Sequence, residues 1–269
     1  MIPCMSELTT LRASFDEDVR ALGSAGCPAL EVWLTKLEEF VARNSVHAAR
    51  ALAADQGVQL AVASAQGGIL LTEGDQRREN LERFGQRLQL CAALKIPTIV
   101  VIADLFDASA ESFDRAAQSL RDAARMAGDL GLRIALEFQA TSKFCNNLET
   151  ALSMVQHVSS PNVGICLDVF HYYTGPSKLE DLERLTRDML FHVQFSDLAG
   201  VPRELATDSE RVLPGDGDFQ LRPIVDRLEA MGYDGCVSVE LMNPQLWSVS
   251  AAQVAEISVT ALRRVLGQA

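Results

Sequence analysis

Basic residues are in deficit in this chain of 269 residues: 24 Lys and Arg face 36 Asp and Glu, a formal net charge of −12 at pH 7. Neutralising nucleic-acid phosphates requires a basic face, so this balance argues against a nucleic-acid partner. Long apolar runs are missing too. Residues 98–103, among the longest, stop at Asp104, far short of the ~20 residues of a bilayer span, so no membrane partner is expected. The opening Met1-Ile2-Pro3-Cys4-Met5 leads into Glu7 without a basic stretch ahead of an apolar one, so a secretory signal is not expected and the chain reads as cytoplasmic. The six cysteines form no C-x-x-C pair, which disfavours a zinc knuckle or a compact disulfide framework and leaves most of them as buried thiols. Histidine is scarce, with four in all. A metal site must therefore lean on carboxylates or amides, which favours a hard cation such as Mg²⁺ or Mn²⁺ over zinc.

What the chain does have is periodicity. Hydrophobic residues make up 48% of it, enough for a large core, and no low-complexity linker or composition break divides it. Short apolar or β-branched runs at residues 3–5, 29–34, 59–64, 98–103, 133–138, 163–168, 191–195 and 236–241 predict eight strands. Between them lie segments with helical spacing, including 75–94, with Leu81, Phe84, Leu88 and Cys91 on one stripe, and 112–130. Gly or Pro falls where helix should hand over to strand, as at Gly57, Pro97, Gly131 and Pro161. Eight strand and helix units over this length match the cadence of a (β/α)₈ TIM barrel, read here as one domain over 1–269. A doubly wound sheet would more often carry a glycine-rich phosphate turn after its first strand. Ser6-Glu7-Leu8-Thr9-Thr10 has none.

In such a barrel the chemistry collects at the C-terminal ends of strands. Polar residues interrupt apolar runs there: Glu137 after Ile134-Ala135-Leu136, Asp168 after Ile165-Cys166-Leu167, Gln194 within His192-Val193-Gln194-Phe195, and Glu240 after Val237-Ser238-Val239. Ionised carboxylates at such depth are costly unless paired or bound to metal. One of them alone reads equally as a salt-bridged strand end. Together, Glu137, Asp168, Gln194 and Glu240 form an oxygen-donor set for one divalent metal ion, Mn²⁺, Mg²⁺ or Co²⁺.

His171, on the loop leaving strand six, is a candidate proton shuttle or hydrogen-bond donor, or else packs on Phe170 or Tyr172. His192 shares a strand face with Gln194, as a deeper ligand, a partner to one, or a buried structural histidine. His47 and His157 fall in helices as surface or packing residues. Arg211, opening Arg211-Val212-Leu213-Pro214-Gly215-Asp216-Gly217, is a candidate partner for a substrate hydroxyl, carboxylate or phosphate, or a plain loop arginine. Lys143, Trp33 and Asn147 are further candidate pocket residues, Asn147 equally a helix N-cap.

At these residues the sequence resembles the sugar isomerase/epimerase superfamily with the xylose-isomerase-like barrel. That group includes inosose isomerases, ketose 3-epimerases, hydroxypyruvate isomerases, 3-dehydroshikimate dehydratases and AP endonucleases. The resemblance is densest over 134–247, in Ala135-Leu136-Glu137-Phe138, Leu167-Asp168-Val169-Phe170-His171, Asp208-Ser209-Glu210-Arg211-Val212-Leu213-Pro214-Gly215-Asp216-Gly217 and Ser238-Val239-Glu240-Leu241-Met242-Asn243-Pro244. It implies one divalent metal on the carboxylates matching Glu137, Asp168 and Glu240, with a His or Gln at the position of Gln194. Gln there is similar to the hydroxypyruvate isomerases and dehydroshikimate dehydratases, whereas residues 4–10 and the 208–217 loop look more like the inosose isomerases. An AP endonuclease is not expected, because that branch binds three metals with a larger His, Asp and Glu set.

The resemblance implies proton abstraction beside a metal-chelated carbonyl through an enediolate, with Glu137 and Glu240 as acid/base groups and His171 serving substrate oxygen. The expected substrate is a small polyhydroxy ketone: a ketose, an inosose or a relative. A 3-dehydroshikimate dehydratase-type lyase is the alternative, favoured by Gln194 and by Arg211 as a carboxylate partner. A non-catalytic sugar-binding barrel is a third reading. A homo-oligomer, dimer or tetramer, is also what the resemblance implies.

Overall fold

All eight apolar runs are strands in the computed structural model, which describes residues 1–109 and 111–268, and every strand bound lies within two residues of the run that predicts it. They are β1 (Ile2–Ser6), β2 (Ala29–Trp33), β3 (Gln59–Gln66), β4 (Thr98–Ile102), β5 (Arg133–Glu137), β6 (Val163–Asp168), β7 (Leu190–Phe195) and β10 (Cys236–Val239). The last label leaves room for a two-stranded antiparallel ribbon, β8 (Asp197–Leu198) and β9 (Arg211–Val212). The eight pair in the order β1-β10-β7-β6-β5-β4-β3-β2 as a closed barrel. The helices are α1 (Phe15–Ser24), α2 (Leu34–Arg43), α3 (Val46–Asp55), α4 (Gly74–Leu94), α5 (Ser112–Gly128), α6 (Leu148–Val158), α7 (Val169–Thr174), α8 (Leu179–Arg184), α9 (Leu221–Ala230) and α10 (Ala251–Val265). None of the described helices is long and apolar enough to cross a membrane. All six cysteines are free; five are buried and Cys236 is half-buried, as buried thiols should be.

The chain comprises two compact units, Met1–Ala63 with Val193–Ala269, and Ser64–His192. In the first, β1 pairs in parallel with β10 and β2, and the register sets Met5 beside Val239 and Ser6 beside Glu31. α1 starts where Ser14 and Glu17 form a capping box, the Ser14 N–H donating to Glu17 Oε2 at 2.7 Å. Its apolar stripe, Phe15, Val19 and Leu22, is buried, and α1 packs on α10.

In the second unit β5 pairs with β4 and β6, all parallel. Every residue of β6 is buried, which is why its sequence is a continuous apolar run up to Asp168. Asp104, just past β4, accepts N–H bonds from Gly68, Leu70 and Leu71 at 2.7, 3.1 and 2.7 Å and so anchors the loop after β3. Gly164 in β6 leaves space that a Cβ would take from the Met189 carbonyl and the Phe191 ring.

Candidate functional site

Three of the sequence candidates converge in the second unit. Glu137 ends β5, Asp168 ends β6, and His171 lies one turn into α7. His171 is thus helical, where sequence pattern leaves a loop. Asp168 is the reason: its Oδ1 accepts the Phe170 N–H at 2.8 Å and caps the helix, and the i, i+3 spacing returns His171 to the same face. His171 Nε2 stands 3.5 Å from Glu137 Oε1 and 3.6 Å from Asp168 Oδ2. One ligand atom from each of the three lies within 4.8 Å of the others, and all three residues are buried. Glu137 Oε1 also accepts from the Gln139 amide.

Gln194, Glu240 and Arg211 are built into the first unit. Gln194 in β7 donates its Nε2 to Glu240 Oε1 at 2.9 Å and to Glu31 Oε1 at 2.8 Å. Ser6 Oγ donates to Glu240 Oε1 at 3.3 Å. Glu240 is the first residue past β10, and its N–H still reaches the Phe195 carbonyl at 3.1 Å. Thr9 brackets it: Thr9 Oγ1 donates to the Val239 carbonyl at 3.1 Å and accepts the Leu241 N–H at 3.0 Å. Arg211 is 1% exposed, deeper than a loop arginine should be, because β9 pairs it with Leu198 in the ribbon. Its Nη1 donates to Glu240 Oε2 at 3.4 Å, while Nε and Nη2 both donate to Asp208 Oδ1, at 2.9 and 2.6 Å. The loop behind it is tied down by Asp197, whose carboxylate accepts from the Leu198, Phe219 and Gly215 amides at 2.9, 2.9 and 3.0 Å.

Glu31, Ser6, Thr9 and Asp208 were not singled out from sequence. Glu31 had a signal: Ala29-Leu30-Glu31-Val32 is a carboxylate inside an apolar run, the criterion that marked Glu137 and Glu240. The remaining candidates lie elsewhere. Asn147 is the N-cap of α6, its Oδ1 accepting the Thr150 N–H at 2.8 Å. Lys143 is 64% exposed and pairs with Asp107, whose carboxyl it holds below the usual range. Trp33 is half-buried and lines a cleft of about 360 Å³ with Phe15, Lys36 and Phe40, and none of Glu31, Gln194, Arg211 and Glu240 lines that cleft. His192 is fully buried, His47 is exposed, and His157 packs edge-on to Phe113 at 5.7 Å.

Two buried carboxylates brought together beside one imidazole repel each other, and a cation between them relieves that repulsion. Oxygen donors with one imidazole suit a divalent ion, so the residues present fit such a cofactor.

The profile of the xylose isomerase-like TIM barrel family matches residues 19–265. The chain belongs to this family. Among its relatives is an inosose isomerase of Halalkalibacterium halodurans, 29% identical over 180 residues that cover 65% of this chain and 64% of that one, so the match spans just under two thirds of that relative. An inosose isomerase of Bacillus velezensis is 25% identical over 258 residues, covering 93% of this chain and 91% of that one. A 3-dehydroshikimate dehydratase of Pseudomonas aeruginosa is 26% identical over 236 residues, covering 87% of this chain and 37% of that one. A crystal structure of a protein named IolI with a bound zinc atom superimposes at a TM-score of 0.94 and 24% identity, covering 100% of this chain and 99% of that one, a likeness of fold.

Proposed function

We propose that this member of the xylose isomerase-like family is a divalent-metal-dependent isomerase or epimerase acting on a ketose, an inosose or a related polyhydroxy ketone. The observation that carries the reading is the buried convergence of Glu137, Asp168 and His171 at the C-terminal ends of β5 and β6. Inosose isomerases among the relatives support it. In this reading Glu137, Asp168, Gln194 and Glu240 hold one Mn²⁺, Mg²⁺ or Co²⁺. Such an ion supplies charge stabilisation as negative charge builds on substrate oxygen.

The protein's own residues do the rest. Glu137 and Glu240 take and return the proton next to the carbonyl, and His171 donates to substrate oxygen. Returning the proton to a neighbouring atom isomerises; returning it to the other face epimerises. Gln194, with Glu31 and Glu240 both accepting from its amide nitrogen, keeps one amide orientation, and Ser6 and Arg211 fix the Glu240 carboxylate. A second reading, loss of a β-hydroxyl as in a 3-dehydroshikimate dehydratase, is favoured by the Pseudomonas aeruginosa relative.

The test is proton NMR in D₂O after incubation of 2-keto-myo-inositol, a set of ketoses and 3-dehydroshikimate with Mn²⁺-loaded protein, the Mn²⁺ being removed by chelator only after incubation and before spectra are recorded, against incubation with metal-stripped protein. The expected result is metal-dependent deuterium uptake with rearranged inosose or sugar signals, reduced at least ~100-fold by Glu240→Gln in a protein of unchanged circular dichroism. New aromatic signals from 3-dehydroshikimate would establish the dehydratase reading. Near-normal turnover by Glu240→Gln would remove that residue from the mechanism.

A further inference from the structure

Among the described residues, the buried Lys and Arg side chains are Lys36, Arg87 and Arg211. Two of them are engaged away from the residues of the proposed site. Lys36 donates to Asp18 Oδ2 at 2.6 Å and to the Glu7 and Thr10 carbonyls at 3.1 and 2.8 Å, and Arg87 donates to Gln66 Oε1 at 3.0 Å. That leaves Arg211 as the buried cation of the Glu31, Gln194 and Glu240 group. The edge of a guanidinium that grips a carboxylate or phosphate with two parallel bonds is a pair of its N–H groups. On Arg211 the Nε and Nη2 edge already carries Asp208, at 2.9 and 2.6 Å, and Nη1 faces Glu240 at 3.4 Å. Asp208 is held there by local structure. It opens a 3-10 turn, Asp208–Glu210, begun by Thr207, whose N–H donates to Glu210 Oε2 at 2.6 Å, and the i, i+3 spacing aims it at Arg211.

The geometry points to Asp208 as a specificity-determining residue that reserves the site for neutral polyhydroxy substrates by occupying the fork of Arg211. The inference rests on the proposed function, which places Glu240, the partner of Arg211, at the substrate. With Asp208 present, two carboxylates, Asp208 and Glu240, already lie on the one guanidinium, and a third, Glu31, shares the Gln194 amide with Glu240. A substrate carboxylate or phosphate meets like charge there and finds the Nε and Nη2 fork taken, whereas hydroxyl groups find acceptors. Exclusion of the wrong ligand by a placed like charge is a common route to specificity.

The experiment measures Kd by isothermal titration calorimetry for two probes, neutral 2-keto-myo-inositol and the carboxylate 3-dehydroshikimate, on Mn²⁺-loaded protein. The wild type is expected to bind the neutral probe at least tenfold tighter. Asp208→Asn, close to isosteric and 42% exposed at the native side chain, is expected to move the ratio at least tenfold toward the carboxylate. Asp208→Ser is the second variant should the amide disturb the turn, and Arg211→Gln added to either is expected to abolish the gain. A ratio unchanged by both Asp208 variants, or a wild type that prefers the carboxylate, overturns the assignment of Asp208. Binding of neither probe by the wild type overturns instead the site reading on which it rests, and the NMR assay reports that failure separately.

Discussion

Glu7 shows how a single residue sets a pH dependence. It has no solvent exposure, and its Oε2 accepts the Trp33 N–H at 2.7 Å. Burial pushes its pKa well above the usual carboxylate range and the charge of Asp18 pushes further, against the pull of Lys36. Asp18 is raised by burial too, with Lys36 opposing. A raised folded pKa means the native state holds the proton more tightly than the unfolded chain. The resulting stabilisation is complete below the unfolded value of about 4 and is lost as pH rises through the folded value, about 1.4 kcal/mol for each pH unit that separates the two values. Glu7→Gln keeps an oxygen for the Trp33 amide and cannot ionise, so it should match wild type near pH 4 and become the more stable protein as pH rises to 8. Urea unfolding at several pH values checks this, and a pH-independent difference would contradict it. At this scale legibility was uneven. Glu137, Asp168, Gln194 and Glu240 were readable because each breaks an apolar run. Glu31 broke one as plainly, but Ser6 and Thr9 are common polar types whose partners lie 234 and 230 residues away, brought together only by the folded register, and Asp208, though three residues from Arg211, sits in a polar loop where an acidic residue does not stand out.

Elements were the most legible level. Strand runs in a closed parallel barrel are buried on both faces, so they stand out as continuous apolar stretches. What escaped were elements too short for periodicity: α7, made helical by the Asp168 cap, and the β8 and β9 ribbon that buries Arg211. The ribbon depends on one glycine. A Cβ on Gly217 would collide with the Asp197 carboxylate and the Leu198 carbonyl, the groups that tie the 212–219 loop in place. Gly217→Ala should therefore cost ~1–3 kcal/mol of stability and lower turnover through misplacement of Arg211. Denaturant unfolding alongside steady-state kinetics tests it; an unperturbed loop would leave both unchanged.

For the whole molecule, a net charge of −12 is compatible with a neutral substrate and sets a constraint on the metal. Buried carboxylates on several strand ends are tolerable in a protein already rich in negative charge only where something local offsets them. The family and the barrel were evident from cadence and motif together; which reaction the barrel runs was not, since one scaffold supports isomerisation, epimerisation and dehydration. The central claim of the proposed function is that Glu137, Asp168, Gln194 and Glu240 would hold a single divalent cation. A calorimetric titration of the chelator-stripped protein with Mn²⁺, paired with melting curves, tests it most directly. The account predicts one ion per chain, a rise in Tm that grows with free Mn²⁺, and loss of both in Glu137→Gln and Asp168→Asn proteins that keep their circular dichroism. Absence of saturable binding in the wild type, or binding that both variants retain, would contradict it.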